Sequence, residues 1–391
     1  MERFDNIVWN RAVVSIGTAL VVAASAMSPG LAARDDSDDA RGFDSARHVF
    51  ERETFGGNGR TCVTCHSRDT GTVSPDDAQR RFARDPRDPL FRADGSDDGR
   101  GGGVQRMLTD ATILVQVPLA ENVSLASDPQ ARVATMRRGI PTTLNTPALD
   151  PVLMYDGRHG SLESQAAGAI HDHAHATRVP TAKELEQIAV FERTRAFFSS
   201  QDLWEFAWTG RAPELPRGRT AAEKRGRAFF EDQPFTSPTS KGGLCAACHS
   251  GPMLNETNEF IPAPPFRRGG RFQSVLVSEL NEAGNPVQNF VFTNGDGTTT
   301  MIASPDPGRA LITGRIDSPE NLNAFKIPTL HGVADTAPYF HDNSAKTLEE
   351  VVKHYAKFFA IISTPPAGGV PGIVLTDQDQ ADIVAFLKLL R

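Results

Sequence analysis

Cys62-Val63-Thr64-Cys65-His66 and Cys245-Ala246-Ala247-Cys248-His249 together use all four cysteines of this 391-residue chain. Cys-x-x-Cys-His is the attachment signature of c-type haem: two thiols form thioethers to the porphyrin vinyls, and the adjoining His supplies an axial nitrogen. The spacing fits one turn of helix that aims both sulfurs and the imidazole at one haem face. A zinc site built from both cysteine pairs would require motifs from opposite halves of the chain to converge. Two copies with no cysteine left over instead predict two covalently bound haem c groups. Cys62, Cys65, Cys245 and Cys248 would be the attachment points, and His66 and His249 the iron ligands. No thiol remains for a disulfide.

Working outward, the length suits about two domains, each holding one haem. Hydrophobic residues make up 39% and charged residues 23%, a composition of soluble globular proteins. Residues 12–27 form an apolar run behind Arg3 and Arg11, with small residues through Ala32 and Ala33. The run is short for a membrane span and reads as an export signal over 1–33, followed by an acidic leader over 34–46. Haem attachment takes place after export, so the expected location is periplasmic. A net charge of −7 argues against a nucleic-acid partner.

The expected fold is mainly α: two cytochrome-c-like haem domains, 47–215 and 216–391, with long irregular loops. A short helix starts near Arg47, and residues 68–105 read as loop from their prolines and their run of Gly and Asp. Thr181 with Glu184 forms a capping box, as do Thr347 with Glu350 and Thr376 with Asp379. Another helix, from about Glu223 to Phe230, precedes the second haem motif. Residues 251–320 are rich in Pro, Gly, Asn and Asp, with one strand-like patch at Phe272–Val277. Haem would replace much of the apolar core, which lets so little regular structure suffice.

Several ordered motifs carry a family resemblance over about residues 47–391. In the second half these are Ala310–Gly314, Phe325–Leu330, Thr336–Asp342 and Thr347–Val352; in the first, Arg138–Asn145, Asp156–Arg158 and Ser161–Gln165. They resemble the bacterial di-haem cytochrome c peroxidases and their relative MauG. The resemblance implies that hydrogen peroxide reacts at one haem while the other stores or relays electrons.

It also implies roles for particular residues. The sixth ligand of the second haem is Met in the peroxidases and Tyr in MauG; that position here is Tyr355. Helical geometry puts Tyr355 on one stripe with Leu348, Val352 and Phe359, so a packed core tyrosine is the competing reading. In the first domain Gln165 matches a distal-pocket Gln. A distal Glu is expected ten residues later, where this chain has His175, at the end of the triplet His171, His173, His175. A neutral imidazole there could do acid–base work on peroxide. Alternatively one of the three could bind iron and block it, or all could face solvent. Tyr155 stands where the family has an inter-haem Trp, as a candidate electron relay. For calcium, Thr336 and Pro338 match two carbonyl donors, while the expected Asn is Gly139, leaving Asn145 or water as a substitute.

The sequence thus predicts an exported peroxidase-like di-haem oxidoreductase. It would use peroxide at the N-terminal haem and draw electrons from a small c-type cytochrome or cupredoxin through the C-terminal haem. Rival readings are MauG-like, peroxide-dependent oxidation of a partner protein or small substrate, a non-enzymatic electron carrier, and an oxygenase.

Overall fold

Side-chain caps set most helix starts. Ser74, Ser161, Thr181, Thr220 and Thr376 each accept a hydrogen bond from the main-chain N–H three residues on, with the reciprocal bond completing a capping box. Thr347 caps Leu348–Ile362 by accepting from Glu350 N. These bonds satisfy N–H groups that have no partner inside the helix. The computed structural model describes residues 36–234, 241–261, 266–363 and 372–391. Residues 1–33, the expected export signal, lie outside the described residues, as do 34 and 35 of the expected leader. Among the described residues no helix is long and apolar enough to cross a membrane.

Residues 42–391 group as one compact unit. In its C-terminal part, Ala221–Ala228 crosses Asp377–Leu387 at Gly226, where a Cβ would lie 2.0 Å from Asp382 O. Only glycine allows so close an approach of two backbones. The Arg225 guanidinium donates to both oxygens of Asp382 at 2.6 and 2.7 Å, and Phe230 stacks on Phe386 with ring centroids 5.2 Å apart. Leu348, Val352, Ile383 and Leu387 complete this apolar cluster. Around the first haem motif, Phe50 meets Phe191 and Phe197, and Ala166, Ile170 and Ile188 pack beside them.

Among the described residues helix predominates over strand. Four differences from the sequence expectations stand out. The first helix is Asp36–Arg52, so it starts inside the expected leader, and Ala46 is already buried. The expected loop 68–105 contains the helix Pro75–Arg84, started by Ser74 with proline at its first turn, where a missing N–H costs nothing. The strand-like patch keeps only Phe272–Gln273 as strand, paired with Phe325–Lys326, and Val277–Leu280 is helical.

The fourth difference is β structure in segments that carry no strand expectation. Thr112–Pro118 pairs antiparallel with Val133–Gly139, with Ile113, Val115 and Val117 facing inward in alternation. Val123–Leu125 pairs with Gln288–Thr293, which pairs with Thr299–Ser304. Phe290 and Phe292 bury against Val115 and Met136 in the same cluster. Each strand carries only two or three inward residues, too short a pattern to stand out from the polar turns around it.

Candidate functional site

The two haem motifs fold alike. Cys62–Cys65 is one helical turn, with His66 N donating to Cys62 O at 2.9 Å. His249 N donates to Cys245 O at the same 2.9 Å. In each case the imidazole Nδ1 is 2.8 Å from the carbonyl oxygen five residues on, Gly71 O for His66 and Leu254 O for His249. Nδ1–H donation to a carbonyl fixes the tautomer and leaves Nε2 free to bind metal. Burial lowers the basicity of both rings, His249 to about 4, so both are neutral at pH 7. No disulfide joins any of the four cysteines. Each motif opens onto cavities: lobes of about 1340 Å³ each by His249 and of about 880 and 630 Å³ by His66, mouths included. Ordinary cofactor sites span roughly 300–1,000 Å³. Paired thiols, an oriented neutral imidazole and an apolar space beside them fit haem c at both places.

The second cavity is walled mostly by carbon, with Leu244, Leu348, Val352, Phe359 and Leu387 around Cys245, Cys248 and His249. Tyr355 lines both of its lobes. Burial pushes its phenol up, with the nearby Cys248 and Cys245 adding to the shift. Among the described residues no hydrogen bond holds the phenol oxygen. His354 turns the other way: its Nε2 is 2.7 Å from Val275 O, and its ring packs on Phe340.

The first cavity is polar on one side. Gln165, Ala169 and His173, from the helix Leu162–Asp172 and its C-cap, border it with Cys65 and His66. His175 lines none of the described cavities; it is exposed, in a left-handed conformation at φ 49°. The helix ends at Asp172, so a ten-residue count from Gln165 runs past its end. Asn58 pins the turn there, its N donating to Ala174 O at 2.8 Å and its Nδ2 to His173 O at 2.9 Å. His173 Nδ1 lies 2.5 Å from Asp94 Oδ2. Arg60, two residues before Cys62, pairs with Asp94 and donates to His173 O at 3.1 Å. Burial pushes Asp94 up, but the His173 hydrogen bond and the Arg60 charge outweigh it, and the net shift is downward. The pair Asp94–His173 was not foreseen, because Asp94 lies in a Gly/Asp-rich stretch read as loop.

A shared wall separates the cavities beside His66 and His249. Met154, Tyr155 and Lys326 line both. Burial pushes the Tyr155 phenol up; Arg138 opposes the shift and Asp342 adds to it. Beneath the wall, the buried Arg138 binds Asp306 through Nε at 2.6 Å and Asp156 through Nη1 at 2.6 Å. His341 stacks on Phe325 with centroids 3.5 Å apart. Thr336 and Pro338 line the second cavity. The carboxamide of Asn145 is fully engaged with Ser199 and His331 O, and the place beside Gly139 is taken by the Asn343 side chain. The Asn145 carboxamide is therefore not free to stand in for the missing calcium donor. Among the described residues, no three His, Cys, Asp or Glu side chains cluster as a metal site.

No family model matches the chain. It is 26% identical over 228 residues to cytochrome c551 peroxidase of Nitrosomonas europaea, covering 54% of this chain and 56% of that protein. It is 26% identical over 285 residues to methylamine utilization protein MauG of Methylophilus methylotrophus, covering 67% of this chain and 70% of that one. The match thus spans little more than half the length of the first relative. A crystal structure of a MauG-like protein associated with microbial copper homeostasis aligns at 20% identity and a TM-score of 0.47, covering 90% of this chain and 88% of that one. By sequence, the chain is a relative of the cytochrome c peroxidases and MauG, the resemblance its motifs carry.

Proposed function

We propose that this chain is an exported di-haem oxidoreductase that reduces hydrogen peroxide on the His66 side, with electrons relayed through the His249 side. The supporting observation is the inequality of two otherwise matching haem sites: one cavity carries Gln165 and the Asp94–His173 pair, whereas the lobe beside Cys245 and Cys248 is walled almost wholly by carbon around the Tyr355 phenol. Bound haem c would supply redox-active iron at both places, held by Cys62, Cys65 and His66 and by Cys245, Cys248 and His249. His173 takes the proton of one peroxide oxygen and returns it to the other, which leaves as water. Asp94, ionised, holds the imidazole by its Nδ1–H and stabilises its protonated form. The Gln165 carboxamide orients the peroxide by hydrogen bonding. The Tyr355 phenol would help hold the iron of a haem bound by Cys245, Cys248 and His249, and so close that site to peroxide. Tyr155, in the shared wall, carries electrons between the sites.

In this reading 47–215 and 216–391 are the two haem-bearing halves, the location is the periplasm, and the donor is a small c-type cytochrome or cupredoxin. Tyr355 also favours a second reading, peroxide-dependent oxidation of a partner protein or small substrate, because an anionic oxygen ligand holds iron in its oxidised states. The deciding experiment mixes the haem-loaded protein with peroxide and reduced cytochrome c. Peroxide-dependent cytochrome oxidation supports the first reading. Peroxide consumption without it favours the second, and no reaction at all leaves an electron carrier.

A further inference from the structure

The helix Ala182–Glu192 ends on a carboxyl that the reaction above does not use. Glu192 is 4% exposed, and its Oε2 is buried with no hydrogen-bond partner. Arg193, next in sequence, turns its guanidinium back to Ala189 O at 3.1 Å. Glu192 borders both lobes of the first cavity, together with His66, Gln165 and His173. Leucine or glutamine would fill this place without the cost of burying a bare carboxylate, which is severe. A buried acid without a cation stays protonated and has an O–H to give.

We propose that Glu192 is a proton-delivering residue of the first cavity; this rests on the peroxide-reduction reading. Reduction of one peroxide breaks the O–O bond, takes up two electrons and two protons, and yields two waters. The electrons come from the donor protein. His173 only relocates a proton between the two peroxide oxygens, releasing the first water. The remaining oxygen needs both incoming protons; Glu192 gives one of them and is reprotonated from solvent. Its surroundings suit this. Burial pushes Glu192 up to about 8, with Arg193 opposing and Glu163 adding. The other titratable or charged groups on the same cavity are Glu53, Arg60, Cys62, Cys65, His66, Arg138, Tyr155, Arg158, His173 and Lys326.

The test compares haem-loaded wild type with Glu192→Gln and Glu192→Asp. Two results are expected for Glu192→Gln. The return to the resting spectrum after peroxide, with donor present, should slow by about 10- to 100-fold and lose its solvent-deuterium effect. The fall in thermal stability that wild type shows between about pH 4.5 and 8, where only the native state holds this proton, should disappear. Glu192→Asp should restore part of the rate, and it carries the comparison if Glu192→Gln does not fold. A reactive wild type whose Glu192→Gln variant matches it in rate and pH profile overturns the proposal alone. A wild type inert to peroxide overturns the peroxide reading and this proposal with it.

Discussion

Asp94 holds His173 at 2.5 Å from its Oδ2 to the ring Nδ1, joining the short turn Ala93–Gly95 to the end of the helix Leu162–Asp172 that lines the first cavity. The contact decides which of three alternating histidines faces the space beside His66.

Replacing His173 with Ala should lower the rate of peroxide consumption by about 10²- to 10⁴-fold, the usual contribution of a positioned acid–base group. His175→Ala, altering an exposed ring, should leave it within about twofold, since surface changes of this kind act weakly. Stopped-flow traces of both variants check this. A faster His173→Ala variant would show a blocking ligand instead.

Asp94 sits below its ordinary carboxyl range, so its ionised form contributes stability above pH 3.8 that is lost as the pH falls through the lower native value. Asp94→Asn should therefore melt with a flatter pH dependence below about pH 4. It should also slow peroxide consumption at pH 7, as His173 loses its orienting partner. Calorimetry across pH 2–5 with parallel kinetics tests both parts.

Tyr355→Phe should change the absorption and paramagnetic-resonance spectra of the second haem and leave the first unaltered. Tyr355→Met should raise the second haem's midpoint potential, because thioether ligation favours the reduced state more than phenolate does. An unchanged spectrum in the Phe variant removes Tyr355 as a ligand.

Tyr155→Phe keeps the ring in the wall between the cavities and removes only the phenol. If the phenol takes part in relay, electron equilibration between the haems should slow by about tenfold or more, equivalent to about 1.4 kcal/mol of barrier. Flash reduction of one haem, with the other followed optically, measures it.

Arg138 is 1% exposed and bridges Asp156 and Asp306. Arg138→Leu should cost about 3–5 kcal/mol, because it strands a buried carboxylate. Asp156 keeps Arg158 at 2.8 Å, whereas Asp306 retains only His341, 4.0 Å away, and the Gly308 N–H. Denaturant unfolding of the variant supplies the number.

Structure is legible in the chain where the signal is local. Thr181 with Glu184 and Thr376 with Asp379 announce helix starts because their hydrogen bonds span three residues. Ser74 with Asp77 has the same form, masked by the prolines and glycines around it. Phe290 and Phe292 gave no sign of strand, because one partner strand, near Val123, lies far off in the chain and the other, near Thr300, follows across a short polar turn.

By itself, the sequence marks the two places where haem c fits and the imidazole offered at each, since Cys-x-x-Cys-His completes its chemistry within one helical turn. It also put Tyr355 on the helix stripe that lines the second cavity. Only the tertiary structure decided how the first cavity is furnished. The choice of His173 over His175 depends on the helix stopping at Asp172 and on Asp94 and Arg60 arriving from distant loops. Glu192 shows no motif at all; its burial without a partner exists only in the folded chain. Local bonding made the two haem motifs alike, and long-range packing made their cavities different.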